Sequence, residues 1–183
     1  MTGEPLADPA LRIERRWAIL CLAVMMLLVC LAAYAGLHQA VMPQARVETV
    51  DPRTLHIAGE FIEGNLGSAL EPDGSVTVRI IGQQYSFTPQ CILVPADTPI
   101  VFRATSADTL HGFMIERTTV NAMLVPGYVS TIQARFAHAF DRAVPCHEFC
   151  GIGHEGMWGR VRVIDRADFI KQATGRPRLN CVP

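Results

Sequence analysis

Five short runs decide the fold: VTVRIIG at 76–82, PIVFRAT at 99–105, HGFMIE at 111–116, YVSTIQARF at 128–136 and WGRVRVI at 158–164. They are rich in β-branched and aromatic residues, several alternate apolar with polar at period two, and turn residues separate them. Their close spacing predicts an antiparallel sandwich or barrel over residues 76–165. After Asp165 only ADFIKQA at 167–173 reads as helical, leaving 166–183 as a short helix and tail. Upstream, residues 38–75 carry Pro43, Pro52, Gly59, Gly64, Gly67, Pro72 and the turn signal Pro72-Asp73-Gly74-Ser75, which reads as a connector with little regular structure.

Ahead of the connector, Trp17 to Leu37 runs 21 residues without a charge. At ~1.5 Å per residue this matches the ~30 Å hydrocarbon core of a bilayer. Arg12, Arg15 and Arg16 precede the run, and only Arg46 and Arg53 follow it closely, so the positive-inside rule puts residues 1–16 in the cytoplasm and the β-rich part outside. Ala33-Tyr34-Ala35 resembles a signal-peptidase site, but the apolar run exceeds the ~7–15 residues of a signal h-region, so a retained anchor is the better reading.

The 183 residues are 50% apolar and 18% charged with a net charge of −1, which suits one soluble domain plus an anchor and gives no electrostatic footprint for nucleic acid. Three of the 16 basic and three of the 17 acidic residues precede residue 38, so the exported part is itself balanced at −1. Six unevenly placed cysteines do not make a disulfide scaffold.

Chemistry concentrates in Cys146-His-Glu-Phe-Cys150-Gly-Ile-Gly-His154-Glu-Gly-Met157. Thiolate, thioether and imidazole donors select copper, zinc or iron–sulfur centres over magnesium or calcium. One Cys, one His and one Met would describe a mononuclear copper site. The second Cys discriminates, because two thiolates on one loop can bridge two copper ions, each then needing an imidazole and a weak axial donor. His154 and Met157 supply one of each, His111 on an upstream strand the second imidazole, and a backbone carbonyl between the cysteines, centrally that of Glu148, the second axial donor. Two rival readings are a disulfide between Cys146 and Cys150, which ignores His111 and Met157, and a closed zinc site, which leaves the Met157 thioether without a role.

These residues resemble the binuclear CuA site of cytochrome c oxidase subunit II. The resemblance extends through VETVDP (47–52), IIGQQYSF, VPADTPIVFRATSADTLHGF, VPGYVS and WGRVRVID, and the single anchor is most similar to the B-type haem–copper oxidases. It implies an all-β, cupredoxin-like Greek-key sandwich behind one transmembrane helix. It also implies Cys146 and Cys150 as bridging ligands, His111 and His154 as terminal ligands, and Met157 and the Glu148 carbonyl as axial ones. A haem-bearing subunit I would be the partner and cytochrome c the donor, since a quinol-oxidising relative is expected to lack these ligands. The chain would sit in a bacterial inner membrane, pass electrons only, and bind no haem. Subunits II with a carboxylate at the Glu148 position also imply magnesium at the interface with subunit I. B-type relatives can carry an amide there, so the magnesium stays open.

The resemblance further places Tyr85 and Phe87 near the surface where electrons enter, although a Tyr-x-Phe pair alone reads more simply as core. Trp158 either shields the site or anchors the last strand. His147, beside a ligand, reads as an outward-pointing residue. Cys91 and Cys181 form either a bridge closing a loop of about 90 residues or two separate thiols. Two alternatives to the oxidase remain: a CuA subunit of a haem–copper nitric oxide reductase, and a membrane-anchored copper chaperone. In such a chaperone the remote His normally follows the Cys pair in a thioredoxin-like fold, whereas His111 precedes it.

Overall fold

The computed structural model describes residues 9–38 and 47–182. The chain divides into two units, Met1–Ala45 and Arg46–Pro183. In the first, the helix α1 (Pro9–His38) contains the predicted span. Its residues 10–37 are exposed, and the charge-free part 17–37 is about 32 Å long, enough to cross a bilayer. Residues 1–8 of the expected cytoplasmic segment lie outside the described residues.

The second unit is a β-sandwich. Its strands are β1 (Gly67–Leu70), β2 (Val76–Gln83), β3 (Ser86–Thr88), β4 (Cys91–Pro95), β5 (Ile100–Ser106), β6 (His111–Met114), β7 (Asn121–Leu124), β8 (Ser130–Ala134), β9 (Phe140–Pro145) and β10 (Trp158–Ile164), followed by α2 (Arg166–Ala173). One sheet has the order β1-β2-β5-β8 with β3 also on β2, the second is β4-β10-β9, and β6-β7 form a separate hairpin. Period-two alternation sets which side chains enter the core. From β2 these are Val76, Val78 and Ile80; from β5, Ile100, Phe102 and Ala104; from β10, Val161 and Val163. Phe87, Phe113, Phe102, Phe136 and Phe140 run through the interior as a chain of ring contacts with centroids 5.1–6.4 Å apart. The same core includes Cys146, Cys150 and Met157, so the three sulfurs that the sequence offers as candidate ligands are built into the packed interior.

The expectation of a purely antiparallel sandwich is corrected, because β2 pairs with β5 and β4 with β10 in parallel. Alternation reports the buried face of a strand but not the direction of its neighbour, and here consecutive strands change sheets between pairings.

The connector reading of 38–75 is also corrected. Residues 39–46 lie outside the described residues, but β1 pairs with β2, and Leu55, Phe61 and Leu66 bury themselves against Ile81 on the outer face of the larger sheet. Glu60 in this segment accepts hydrogen bonds from Arg79 Nε (3.1 Å) and Arg103 Nη2 (2.6 Å), two arginines that are direct partners across β2 and β5. The turns predicted there are real. Three apolar side chains at irregular spacing show no period, so nothing in the sequence marks them as core.

Cys91 on β4 is joined to Cys181, with Cα atoms 5.0 Å apart, and the Cys181 N–H donates to the Cys91 carbonyl. The tail is thereby fixed to the sandwich, and of the two readings left open the bridge is the one the structure adopts.

Candidate metal centre

Pro145 and Trp158 are cross-strand partners at the ends of β9 and β10, so residues 146–157 form the connection of a hairpin. The Cys146 N–H donates to the Met157 carbonyl at 3.0 Å and closes its neck. Within it, backbone bonds from His154 to Gly151, Gly156 to Gly153 and Met157 to His154 wind a tight turn that points His154 back at Cys150.

Glycine lets this loop lie close to its neighbours. Gly151 has φ of +133°, a conformation that side chains disfavour, and a β-carbon on it would stand 2.6 Å from the Tyr85 hydroxyl. One on Gly153 would meet the Tyr85 ring at 2.7 Å. Tyr85 thus packs flat on the metal loop, and its neighbour Gln84 donates its side-chain amide to the Cys150 carbonyl.

The donors converge. Cys146 Sγ lies 3.9 Å from Cys150 Sγ, 3.9 Å from His111 Nδ1 and 3.2 Å from the Glu148 carbonyl oxygen. Cys150 Sγ lies 3.6 Å from His154 Nδ1 and 3.8 Å from Met157 Sδ. Two donors on one tetrahedral ion, with bonds of about 2.0–2.3 Å, stand roughly 3.3–3.8 Å apart. The observed separations match those of ligands to shared ions. The two thiols are unbridged, and the ligand atoms of His111, Cys146 and Cys150 all fall within 4.8 Å of one another. His111 and Met157 are fully buried, the cysteines nearly so, and His154 is half-buried at the rim. Burial, reinforced by the adjacent Cys146, pushes the Cys150 thiol up to about 11, so a metal must displace a proton to bind there.

His111 is oriented by a residue that the sequence reading missed. Its Nε2–H donates to Asp108 Oδ1 at 2.8 Å. An ionised carboxylate can only accept, so the proton sits on Nε2 and the Nδ1 lone pair faces Cys146. Burial works against the charge on Asp108, but the backbone N–H of Gln84, the His111 ring and the backbone N–H of Thr109 outweigh it and hold the carboxyl below its usual range. The i−3 spacing of a carboxylate before a ligand histidine was the available signal. Gly82 gives the ring room, since a β-carbon there would stand 3.3 Å from His111 Cδ2.

The other predicted residues separate. Trp158 is half-exposed beside the loop, and its indole N–H donates to the Glu155 carbonyl. Tyr85 is likewise half-exposed over the loop. Phe87, expected at the surface where electrons enter, is instead buried against Phe113, because β3 turns alternate residues to opposite sides. Phe149 and Ile152, which the sequence reading did not single out, project from the loop at 75% and 93% exposure. His147 points outward, as expected.

A β-sandwich with a soft-donor loop joining two strands at one end, behind one long apolar helix, is a cupredoxin-like domain on a membrane-type anchor. No family model matches the chain. A cytochrome c oxidase subunit 2 of Thermus thermophilus is 32% identical over 166 residues, covering 89% of this chain and 99% of that one. A heme-copper oxidase subunit 2 of Aeropyrum pernix is 25% identical over 167 residues, covering 78% and 71%. Among solved structures, a chain of a heme-copper terminal oxidase dimer aligns with a TM-score of 0.57 at 24% identity, covering 83% of this chain and 99% of that one. The periplasmic domain of subunit II of the Bradyrhizobium japonicum cytochrome oxidase aligns at 0.50 and 20% identity, over 55% and 91%. The chain belongs to the cytochrome c oxidase subunit 2 family.

Proposed function

We propose that this chain is the electron-accepting subunit of a haem–copper terminal oxidase, taking single electrons from a cytochrome c-type donor and handing them to a haem-bearing subunit I for oxygen reduction. The observation that carries this reading is the pair of unbridged thiols 3.9 Å apart, flanked by two imidazole nitrogens and a thioether sulfur. Cys146, Cys150, His111, His154, Met157 and the Glu148 carbonyl are the groups that would hold two copper ions. Bound copper would supply a one-electron couple shared over the two ions.

The protein's own contribution is orientation and exclusion of water. Asp108 fixes the tautomer of His111, and Gln84 holds the loop backbone at Cys150. Phe113, Leu124 and Val144 keep the floor of the pocket apolar. Outside, the exposed Phe149 and Ile152 of the loop, with Trp158 and Tyr85 beside it, would form an apolar docking surface for the donor. The Glu148 carboxylate, half-buried in the same loop, is the group that would reach a magnesium ion at the subunit I interface. The apolar helix would anchor the chain in a bacterial inner membrane with the N-terminus in the cytoplasm and the copper domain outside, an orientation that the arginines before the span support. The all-β fold disfavours the chaperone reading, which calls for a thioredoxin-like domain.

The test is to mix copper-loaded protein with reduced cytochrome c and follow both partners, then to supply oxygen or nitric oxide to the complex with subunit I. Cytochrome oxidation followed by oxygen uptake is the expected result. A copper centre that the cytochrome cannot reduce would overturn the reading, and nitric oxide consumption without oxygen uptake would replace the acceptor.

A further inference from the structure

A second set of soft donors lies on the hairpin β6–β7, outside the pocket. The register pairs His111 with Leu124, Gly112 with Met123, Phe113 with Ala122 and Met114 with Asn121. His111, Phe113 and Leu124 face the interior, which leaves Gly112, Met114, Asn121 and Met123 on the opposite face. Met123 sits directly across from Gly112 and Met114 two residues along the same strand, so the two thioether positions flank the glycine at about 5 and 7 Å between α-carbons.

The space that a side chain at Gly112 would occupy is filled by His147. Its Cγ and Nδ1 lie 2.7 Å from where the β-carbon would be. The imidazole of His147 therefore lies over the glycine whose register neighbours on that face are Met123 and Met114. His147 is exposed and has no hydrogen-bond partner among the described residues, and Met123 is 40% exposed. None of these three side chains is among the donors of the inner site. Two thioethers with one imidazole form a donor set that suits monovalent copper and does not suit zinc, for which thioether is not a normal ligand.

We propose that Met114, Met123 and His147 form a surface site for monovalent copper, at which the ion is captured before it moves inward to the adjacent Cys146. The step is ligand exchange. Bonds from copper to thioether and imidazole break as bonds to sulfur of Cys146 and Cys150 form, each thiol proton passes to solvent, and the ion stays Cu(I), so no oxidant or reductant takes part. The destination rests on the copper reading of the inner pocket, whereas the existence of the outer site does not.

The test uses the full chain in detergent, carrying Cys146→Ser and Cys150→Ser, with 13C-labelled methionine methyl groups assigned through Met114→Leu and Met123→Leu. Anaerobic addition of Cu(I) alone should shift the Met114 and Met123 methyls together and saturably. Zn(II) should leave them in place, and His147→Ala should weaken the response. In the otherwise native chain, Met114→Leu with Met123→Leu should slow copper uptake from limiting Cu(I) and leave the final copper content unchanged. Shifts confined to Met157, an equal response to Zn(II), or an unaltered rate of uptake would overturn the proposal. Copper content of the native chain reads the inner pocket separately: an inner pocket without copper, with the Met114 and Met123 shifts intact, would remove the functional reading and still support the outer site.

Discussion

Two segments of the sandwich that both lack regular strands solve opposite problems. The segment 47–66 lies on the outer face of the larger sheet and supplies carboxylates to two arginines of that sheet. Arg79 and Arg103 are like charges side by side across β2 and β5, an unfavourable pairing, and Glu60 sits on both while Glu48 also pairs with Arg103. The loop 146–157 does the reverse. It brings two thiols, two imidazoles and a thioether within 4 Å contacts, and these groups have little hydrogen bonding to offer one another. One region is finished by its own side chains, and the other is finished by a ligand. Removing a group from the first should cost stability and spare the site, whereas removing one from the second should alter the site and largely spare the fold.

The largest effect is expected at the bridging thiol. Cys150→Ser should abolish the binuclear centre, lowering the copper content and eliminating the mixed-valence absorption, while circular dichroism shows the sandwich intact. Retention of the binuclear spectrum would remove the ligand assignment. Next in size is the disulfide. Replacing Cys91 and Cys181 together with serine frees a loop of about 90 residues and should cost roughly 4 kcal/mol in chemical denaturation, by the chain-entropy account. Copper loading of the folded fraction should be unchanged.

Glu60→Gln isolates the other side of the comparison. It removes the counter-charge from two mostly buried arginines and should cost about 1–3 kcal/mol, read from the denaturation midpoint. The copper spectrum should stay that of the native protein, and a changed spectrum would mean that the two regions are coupled. Met157→Leu is expected to be milder still. Both coppers stay and the reduction potential moves, because an axial thioether tunes more than it holds. Smallest is the response of donor oxidation to salt. The part after residue 38 is nearly neutral and the rim apolar, so the rate should fall only modestly with ionic strength, and a steep fall in stopped-flow traces would point to a charged docking face instead.

The same contrast explains what the sequence disclosed. All five candidate side-chain donors could be named from residue type and spacing, because soft donors are rare and their chemistry does not depend on context, and the structure brings them together. The strands were legible through alternation at Val76–Ile80, Ile100–Ala104 and Trp158–Ile164. Their parallel pairings were not, since no local pattern encodes which distant strand lies alongside. Leu55, Phe61 and Leu66 escaped because burial against Ile81 is a tertiary event without periodicity. Asp108 escaped for a related reason: a carboxylate in a turn is ordinary until His111 is seen to donate to it. Phe87 has two readings in the sequence, near the entry surface or in the core, and the burial pattern of β3 puts it in the core.

The central claim is that the pocket between β9, β10 and β6 holds two coppers that share one unpaired electron. The most direct measurement is electron paramagnetic resonance, with metal analysis, on the full chain purified from a copper-supplied host. Two coppers per chain, with hyperfine structure from one electron distributed over two copper nuclei, is the predicted result. One copper per chain with single-nucleus hyperfine structure, or zinc in its place, would contradict it.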